Sequence, residues 1–152
     1  MASSAEADAR RAALAHEAPM RTRGLWARGR LGDKEVVFLC GTLGAEFDLW
    51  QRRLAATSAA DAFFSQQIGL EAVEAEMDRL EAEARQAVAA EGAELLPRRS
   101  PGYGDMPLEL SRTILAALDA TKRLGVGLTD SLLLVPSKSV TAICELGKGG
   151  GK

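Results

Sequence analysis

Residues 98–105 combine side chains that could bind a small charged ligand. The stretch reads Arg-Arg-Ser-Pro-Gly-Tyr-Gly-Asp and contains Tyr103, the one tyrosine of the chain. Pro101 fixes its own φ angle, whereas Gly102 and Gly104 permit left-handed backbone. A turn of this kind can hold an arginine guanidinium and an aromatic ring in fixed positions relative to each other.

The chemistry that this stretch offers is recognition of a carboxylate together with a flat or cationic group. The guanidinium of Arg98 suits a carboxylate in bidentate geometry. The ring of Tyr103 can face a heterocycle or a sulfonium, and backbone groups freed by the turn can hydrogen-bond a purine edge. A purely structural turn fits the same composition, because proline and glycine punctuate loops of every kind. The residues by themselves leave both interpretations open.

Other kinds of site find little support along the chain. His16 is the only histidine, so a Ser-His-Asp site or a histidine-ligated metal is hard to build. Cys40 and Cys144 lie far apart in apolar runs without a Cys-x-x-Cys pair, which predicts two reduced, buried thiols. We therefore expect no metal site and assign no catalytic residue.

The overall composition indicates one globular domain with ordinary partners. The chain has 152 residues, of which 47% are apolar and 26% charged, with a formal net charge of -2. This balance argues against binding to a nucleic-acid backbone or an anionic membrane. No apolar stretch approaches the roughly 20 residues of a membrane helix, and the N-terminus lacks the apolar block of a signal peptide. The sequence predicts a cytoplasmic protein.

Hydrophobic periodicity and turn residues predict the elements that must position residues 98–105. In chain order they are a strand at 35–40, a glycine turn at 41–44, a helix from Ala45 with a kink near 57–58, a helix at 70–90, a short strand at 93–96, a helix at 108–124 capped by Asp105, and strands at 132–135 and 139–146 joined by a hairpin at 136–138. This order predicts an α+β fold, with helices packed on a small antiparallel β-sheet.

Four further expectations concern the termini and the charges. Residues 1–33 show no long apolar stripe and are expected to be a poorly ordered or shortened N-terminal segment. Residues 148–152 are rich in Gly and Lys and are expected to form a flexible tail after a domain at 34–147. The carboxylates of the 70–90 helix indicate a solvated helix face, and Arg99 is expected to be either a helper at the ligand site or a salt-bridge partner.

The pattern Arg98-x-x-x-Gly102-Tyr103 resembles the Arg-x-x-x-Gly-Tyr signature of the activation (reactivation) domain of cobalamin-dependent methionine synthase. Further segments are similar to that family in the same order: the glycine turn at 41–44, Arg-Ser-Pro-Gly-Tyr-Gly-Asp-Met-Pro-Leu at 99–108, Lys-Arg-Leu-Gly-Val-Gly-Leu-Thr-Asp-Ser at 122–131, and Pro-Ser-Lys-Ser-Val-Thr-Ala-Ile at 136–143. The resemblance covers about residues 34–147 and is to the short stand-alone form of the domain.

This resemblance implies an α+β S-adenosylmethionine-binding domain. It assigns the methionine carboxylate to Arg98 and backbone contacts with the nucleoside to Ser100. It also implies that Tyr103 packs beside the sulfonium or nucleoside and that Gly102, in the turn between them, is a fourth S-adenosylmethionine-binding residue. The family also uses an acidic residue from its N-terminal part, and residues 1–33 show no match to that part.

The function implied by the family is reductive methylation, which reactivates cobalamin in methionine synthase or a related corrinoid methyltransferase. Since this chain has no Asp-x-His-x-x-Gly motif, the cobalamin must be carried by a partner protein. The resemblance implies a cobalamin-binding methionine synthase or corrinoid protein as partner, with an electron donor such as flavodoxin or ferredoxin. The chain would then be a component of a methyltransferase activity in methionine biosynthesis.

Two other interpretations stay open at this point. The first is a non-catalytic protein-interaction module that keeps the fold without ligand binding. The second is a different methyltransferase that uses the same methyl donor. The absence of a Gly-x-Gly-x-x-Gly fingerprint and of a convincing general base argues against the second.

Overall fold

A computed structural model of the chain describes residues 3–148. Within that range the chain forms helices and strands in the following order: α1 (Ser4–Glu17), β1 (Arg23–Leu31), β2 (Lys34–Thr42), α2 (Ala45–Thr57), α3 (Ala59–Ala89), β3 (Ala93–Leu95), α4 (Leu110–Leu118), α5 (Ala120–Leu124), β4 (Gly127–Leu128), β5 (Leu134–Val135) and β6 (Ser139–Lys148). In this range no helix is both long enough and apolar enough to cross a membrane.

The main sheet has four antiparallel strands in the order β1-β2-β6-β3. Strand β2 contains the predicted run at 35–40 and pairs with β1 along its whole length, from Lys34–Leu31 to Thr42–Arg23. The helices pack on this sheet, so the predicted α+β class is confirmed.

Both faces of β2 are buried, which explains why its sequence is continuously apolar. Val36, Phe38 and Cys40 point to one face and pack in a cluster with residues of α4 and α5. Val37 and Leu39 point to the other face and pack against α3. The sheet therefore lies between the long helix α3 and the short pair α4–α5.

Helix α3 extends well before the predicted start at residue 70. It begins at Ala59 because Ser58 ends α2 and caps α3, its hydroxyl accepting a hydrogen bond from the Asp61 N–H at 3.1 Å. The predicted kink at 57–58 is thus the junction of two helices. The N-terminal half of α3 packs with α1 and α2 around a third apolar cluster that includes Phe47 and Trp50.

The N-terminal segment differs from its expectation. Residues 4–17 form α1, whose first turn has a capping box between Ser3 and Glu6. Only one α1 residue, Leu14, is buried, which is why no apolar stripe was visible in the sequence. Strand β1 joins the main sheet, so this segment packs in the same body as 34–147. Of the predicted tail, residues 149–152 lie outside the described range.

Two sequence-based assignments after residue 107 are wrong. Strand β5 pairs with β4 and not with β6, so residues 136–138 connect two sheets rather than closing a hairpin. The helix predicted at 108–124 divides at Asp119, which adopts φ 51° and ψ 42° and separates α4 from α5. This left-handed residue lets α5 turn back so that Leu124 is buried in the same cluster as Leu118.

Candidate functional site: a cleft beside residues 98–104

The segment that follows β3 is fastened to β6 by its backbone. The Leu96 N–H donates to the Glu145 carbonyl at 2.8 Å. Arg99 and Ile143 then exchange two backbone hydrogen bonds, each 2.9 Å long. Residues 98 and 99 are therefore an irregular continuation of the sheet edge, and the sheet holds the start of the loop in place.

The rest of the loop is a succession of tight turns. Gly102 and Gly104 have φ angles of 89° and 59°, which confirms the predicted left-handed backbone. The Gly102 N–H donates to the Met106 carbonyl at 2.9 Å, and the Tyr103 N–H donates to Ser100 at 3.2 Å. Pro101 is buried beneath these turns, whereas the Tyr103 side chain points outward. The loop thus displays its aromatic ring on a hydrogen-bonded base.

A cleft of about 920 Å³ lies beside this loop. One wall is the loop, another is the segment before β5, α3 contributes from the side, and α4 and β6 form the floor. Its lining residues are Leu70, Glu74, Arg98, Arg99, Ser100, Pro101, Tyr103, Gly104, Leu108, Ser111, Leu132, Leu133, Leu134, Ser137, Ser139, Val140 and Thr141. The volume lies in the range of small-molecule sites, roughly 300–1,000 Å³.

The structure brings three of the four predicted binding residues to this cleft. Arg98, Ser100 and Tyr103 all line it. Gly102 is outside the lining and shapes the turn between them, with Leu108 Cδ1 only 3.1 Å from where its Cβ would lie. Any larger residue at this position would be strained by the positive φ angle as well.

Arg98 forms the most extensive ion-pair network at the cleft. Its guanidinium donates to Glu74 at 2.7 Å, to Asp78 at 2.8 Å and to Glu81 at 2.8 Å. These carboxylates recur every three or four residues and so share one face of α3. Glu74 and Asp78 are more than half exposed, as the predicted solvated face requires, but the stripe also pairs with an arginine from the loop, which the sequence did not predict.

The electrostatics keep Arg98 charged. Burial would lower its pKa, but hydrogen bonds to Asp78, Glu74 and Glu81 outweigh that effect and hold the pKa above its ordinary value. The three bonds use both N–H groups of Nη1 and one of Nη2. Among the described residues, the Nε–H and the second Nη2–H of Arg98 have no hydrogen-bond acceptor. These two groups can therefore donate hydrogen bonds to a further anion.

Arg99 points to different carboxylates. It is hydrogen-bonded to Asp105 and lies 3.7 Å from a carboxylate oxygen of Glu145, which confirms the predicted salt-bridge role. The predicted helix cap at Asp105 is wrong, since α4 starts at Leu110 and Glu109 precedes it without a side-chain cap. Asp105 instead ties the end of the loop to its beginning.

The floor of the cleft carries hydroxyl groups that sequence reasoning missed. Ser111 on α4 lies 3.2 Å from the Thr141 hydroxyl on β6, and Ser139 lies 2.8 Å from the Thr42 hydroxyl. All four side chains are buried. The available signal for Ser111 was its place on the apolar face of α4, one turn before Ile114 and Leu115.

Lys138, which follows the cleft-lining Ser137, is buried at 7% exposure. Its ammonium donates to Gln66 at 2.8 Å, and desolvation lowers its pKa despite attraction to Asp48. Within residues 3–148, no group of three or more His, Cys, Asp or Glu side chains is arranged so that it could bind a metal ion.

The architecture is an antiparallel sheet covered on both faces by helices, with a cleft at the end where a glycine-rich loop leaves the edge strand. No family model and no curated protein matches the chain. A comparison with solved structures matches the crystal structure of the MetH reactivation domain bound to AdoHcy, with a TM-score of 0.73. The match has 17% sequence identity and covers 97% of this chain.

This comparison confirms, for the fold, the resemblance to the activation domain of methionine synthase. The chain spans 65% of the length of that solved domain. At 17% identity the likeness establishes shared architecture, and the ligand in that crystal is a property of the neighbour.

Proposed function

We propose that this chain binds S-adenosylmethionine in the cleft beside residues 98–104 and presents it for reductive methylation of cobalamin held by a partner protein. The observation that supports this most directly is the convergence of Arg98, Ser100 and Tyr103 on one cleft. The fold is shared with the MetH reactivation domain, which has been solved with AdoHcy bound.

The side chains of the cleft suit the parts of such a ligand. Arg98 retains two N–H donors for the methionine carboxylate without losing its bonds to Asp78 and Glu81. Tyr103, at 76% exposure, offers a free ring face to the adenine or the sulfonium. Ser100 also lines the cleft, and its backbone groups would contact the nucleoside.

The contribution of this chain to the reaction is binding and orientation. The methyl carbon must lie in line between the sulfur that releases it and the cobalt that accepts it, and a rigid loop fixes the sulfur end. Cobalamin, bound by the partner and reduced by an external donor such as flavodoxin or ferredoxin, would supply the nucleophile. The proposal implies a cytoplasmic protein that serves methionine synthase or another corrinoid protein, and thus methionine biosynthesis.

Thermal unfolding with S-adenosylmethionine, S-adenosylhomocysteine or ATP tests ligand binding. A ligand at about 100 times its Kd adds roughly 2.7 kcal/mol of stability, which raises Tm by several degrees. We expect this shift with the two adenosyl-sulfur ligands and its loss in Arg98→Ala. Arg85→Ala is the matched control, because Arg85 also donates to Glu81 at 2.9 Å but lies outside the cleft.

The absence of a shift with every ligand would contradict the proposal. It would favour a protein-interaction module that keeps the fold. The observation that supports this second function is that Arg98 already pairs with three carboxylates of its own chain. In that case a cobalamin-binding protein would still be recovered in a pull-down, since its docking would not require the ligand.

A further inference from the structure

Strand β1 forms an open edge of the main sheet. The sheet order is β1-β2-β6-β3, so β1 pairs with β2 on one side and, among the described residues, with no strand on the other. The strand is nine residues long and contains no proline. The unpaired N–H and C=O groups of such an edge are a template for a further strand.

The hairpin between β1 and β2 decides which backbone groups face this edge. Leu31 pairs with Lys34 across a two-residue turn whose first residue, Gly32, has a φ angle of 64°. The closing pair of such a hairpin exchanges two hydrogen bonds, and every second residue of β1 then bonds to β2. The residues between them direct their N–H and C=O groups outward, and they are Gly24, Trp26, Arg28 and Arg30. Within residues 3–148 these backbone groups make no hydrogen bond outside the sheet.

Helices cover both faces of β1, so its edge is the part that a partner can reach. On one face the Trp26 indole N–H donates to Glu83 of α3 at 3.1 Å. On the other face Leu25 and Ala27 pack against the cluster that contains α4 and α5. A partner can therefore add to β1 in the plane of the sheet, as a strand.

The sequence of β1 complements itself when a second copy lies antiparallel to it about a two-fold axis at Ala27. All four outward-facing residues then form hydrogen-bonded pairs between the copies, and the pairs are Gly24 with Arg30 and Trp26 with Arg28. Arg28 lies opposite an aromatic ring, which favours a cation, and Arg30 lies opposite a glycine. Sliding the register by two residues in one direction would place Arg28 opposite itself, and sliding it in the other would leave Arg30 beyond the pairing.

The same register brings opposite charges together at both ends of the paired strands. Continued past the strand, it places the turn residue Asp33 beside Arg21 of the second copy. Both side chains are exposed, and neither forms an ion pair with residues 3–148. Arg28 already pairs with Glu35 and Glu91, so its charge adds little repulsion near the axis.

We propose that β1 is a homodimer interface, at which two copies of this chain join their sheets edge to edge about a two-fold axis at Ala27. The cleft beside residues 98–104 follows β3, at the opposite edge of the sheet, so both clefts stay open in the dimer. The inference goes beyond the proposed function and does not depend on which ligand the cleft binds.

Sedimentation of the full chain over a series of concentrations tests the interface. Arg30→Pro removes one outward N–H, a loss that an edge strand tolerates because this group does not bond to the neighbouring strand. Arg30→Ala is the matched control, since it removes the same side chain and keeps the N–H. Thermal unfolding shows that each variant is folded.

We expect the wild type and Arg30→Ala to dimerise with similar affinity. Arg30→Pro should dimerise at least about tenfold more weakly, because the two-fold symmetry removes two hydrogen bonds at once. A wild type that stays monomeric at every concentration would overturn the interface and leave the edge to a strand of another protein. Equal dimerisation of Arg30→Pro and Arg30→Ala would also overturn it.

A charge exchange tests the register separately. Asp33→Arg alone, or Arg21→Asp alone, places like charges together at both ends of the interface and should weaken the dimer. The double variant restores opposite charges and should recover the affinity of the wild type. A double variant no tighter than the single ones would overturn the two-fold axis at Ala27. None of these outcomes bears on S-adenosylmethionine binding, which is measured independently.

Discussion

At the scale of single residues, the site separates side chains that hold the loop from side chains that face the cleft. Arg99 and Asp105 close the loop on itself, and Pro101 is buried beneath it. Tyr103 does neither, since 76% of its surface is exposed. An exposed aromatic side chain at a cleft contributes little to folding, and its effect should therefore be seen in ligand binding.

Tyr103→Ala should change the free energy of unfolding by less than about 0.5 kcal/mol, because the side chain buries little surface. It should weaken S-adenosylhomocysteine binding by about 1–3 kcal/mol, the usual effect of losing a base–aromatic stack. Calorimetric titration and chemical denaturation measure the two quantities. Tyr103→Phe keeps the ring and is the control; equal affinity of the wild type and the alanine variant would exclude contact between the ring and the ligand.

At the scale of elements, α3 organises the molecule. It packs on the sheet, receives α1 and α2 along its first half, and offers carboxylates to the loop at 98–104. Gly69 lies where α2 and α3 meet: a Cβ there would be 2.7 Å from the Phe47 Cε2 and 2.9 Å from the Lys138 Cε. Phe47 is fully buried, so its ring cannot shift without displacing the side chains packed around it.

Gly69→Ala should destabilise the protein, although alanine is the better helix former. The propensity gain is about 1 kcal/mol, whereas overpacking a rigid contact costs about 1–3 kcal/mol, so a net loss of about 1 kcal/mol is expected. Chemical denaturation measures it. Gly127→Ala is the control, because nothing lies within 4 Å of its Cβ position. A stabilised Gly69→Ala would show that α2 can move away from α3.

At the scale of the whole molecule, the N-terminal helix belongs to the same packed body as the sheet. Arg10 of α1 pairs with Asp61 at 2.6 Å, and Arg11 pairs with Glu71 at 2.5 Å, so α1 is held to α3 by charges as well as by Leu14. Surface pairs of this kind contribute little each. The attachment of α1 therefore depends mainly on the burial of Leu14.

Leu14→Ala should lower the free energy of unfolding by about 2–5 kcal/mol, because Leu14 is 0% exposed in a cluster with Leu43 and Phe47. Leu49→Ala, at a side chain that is 47% exposed, should cost much less. Chemical denaturation and hydrogen exchange of residues 4–17 measure both. If the two variants were equally stable, α1 would be detached in solution, as the sequence alone suggested.

The sequence by itself determined the strand at 35–40, the long helix, the α+β class and the left-handed turn at Gly102 and Gly104. Each depends on a local property, namely periodicity, apolar runs or the steric freedom of glycine. The motif at 98–103 also pointed to the loop that borders the cleft, because the resemblance rests on contiguous residues.

Only the tertiary structure decided which distant residues these side chains and strands contact. The pairing of Arg98 with Glu74 spans 24 positions, and the floor contact of Ser111 with Thr141 joins α4 to β6. Strand β5 pairs with β4 rather than with the adjacent β6, and a single buried leucine attaches α1. Such contacts depend on which surfaces come together in the packed chain, and local periodicity carries no information about them.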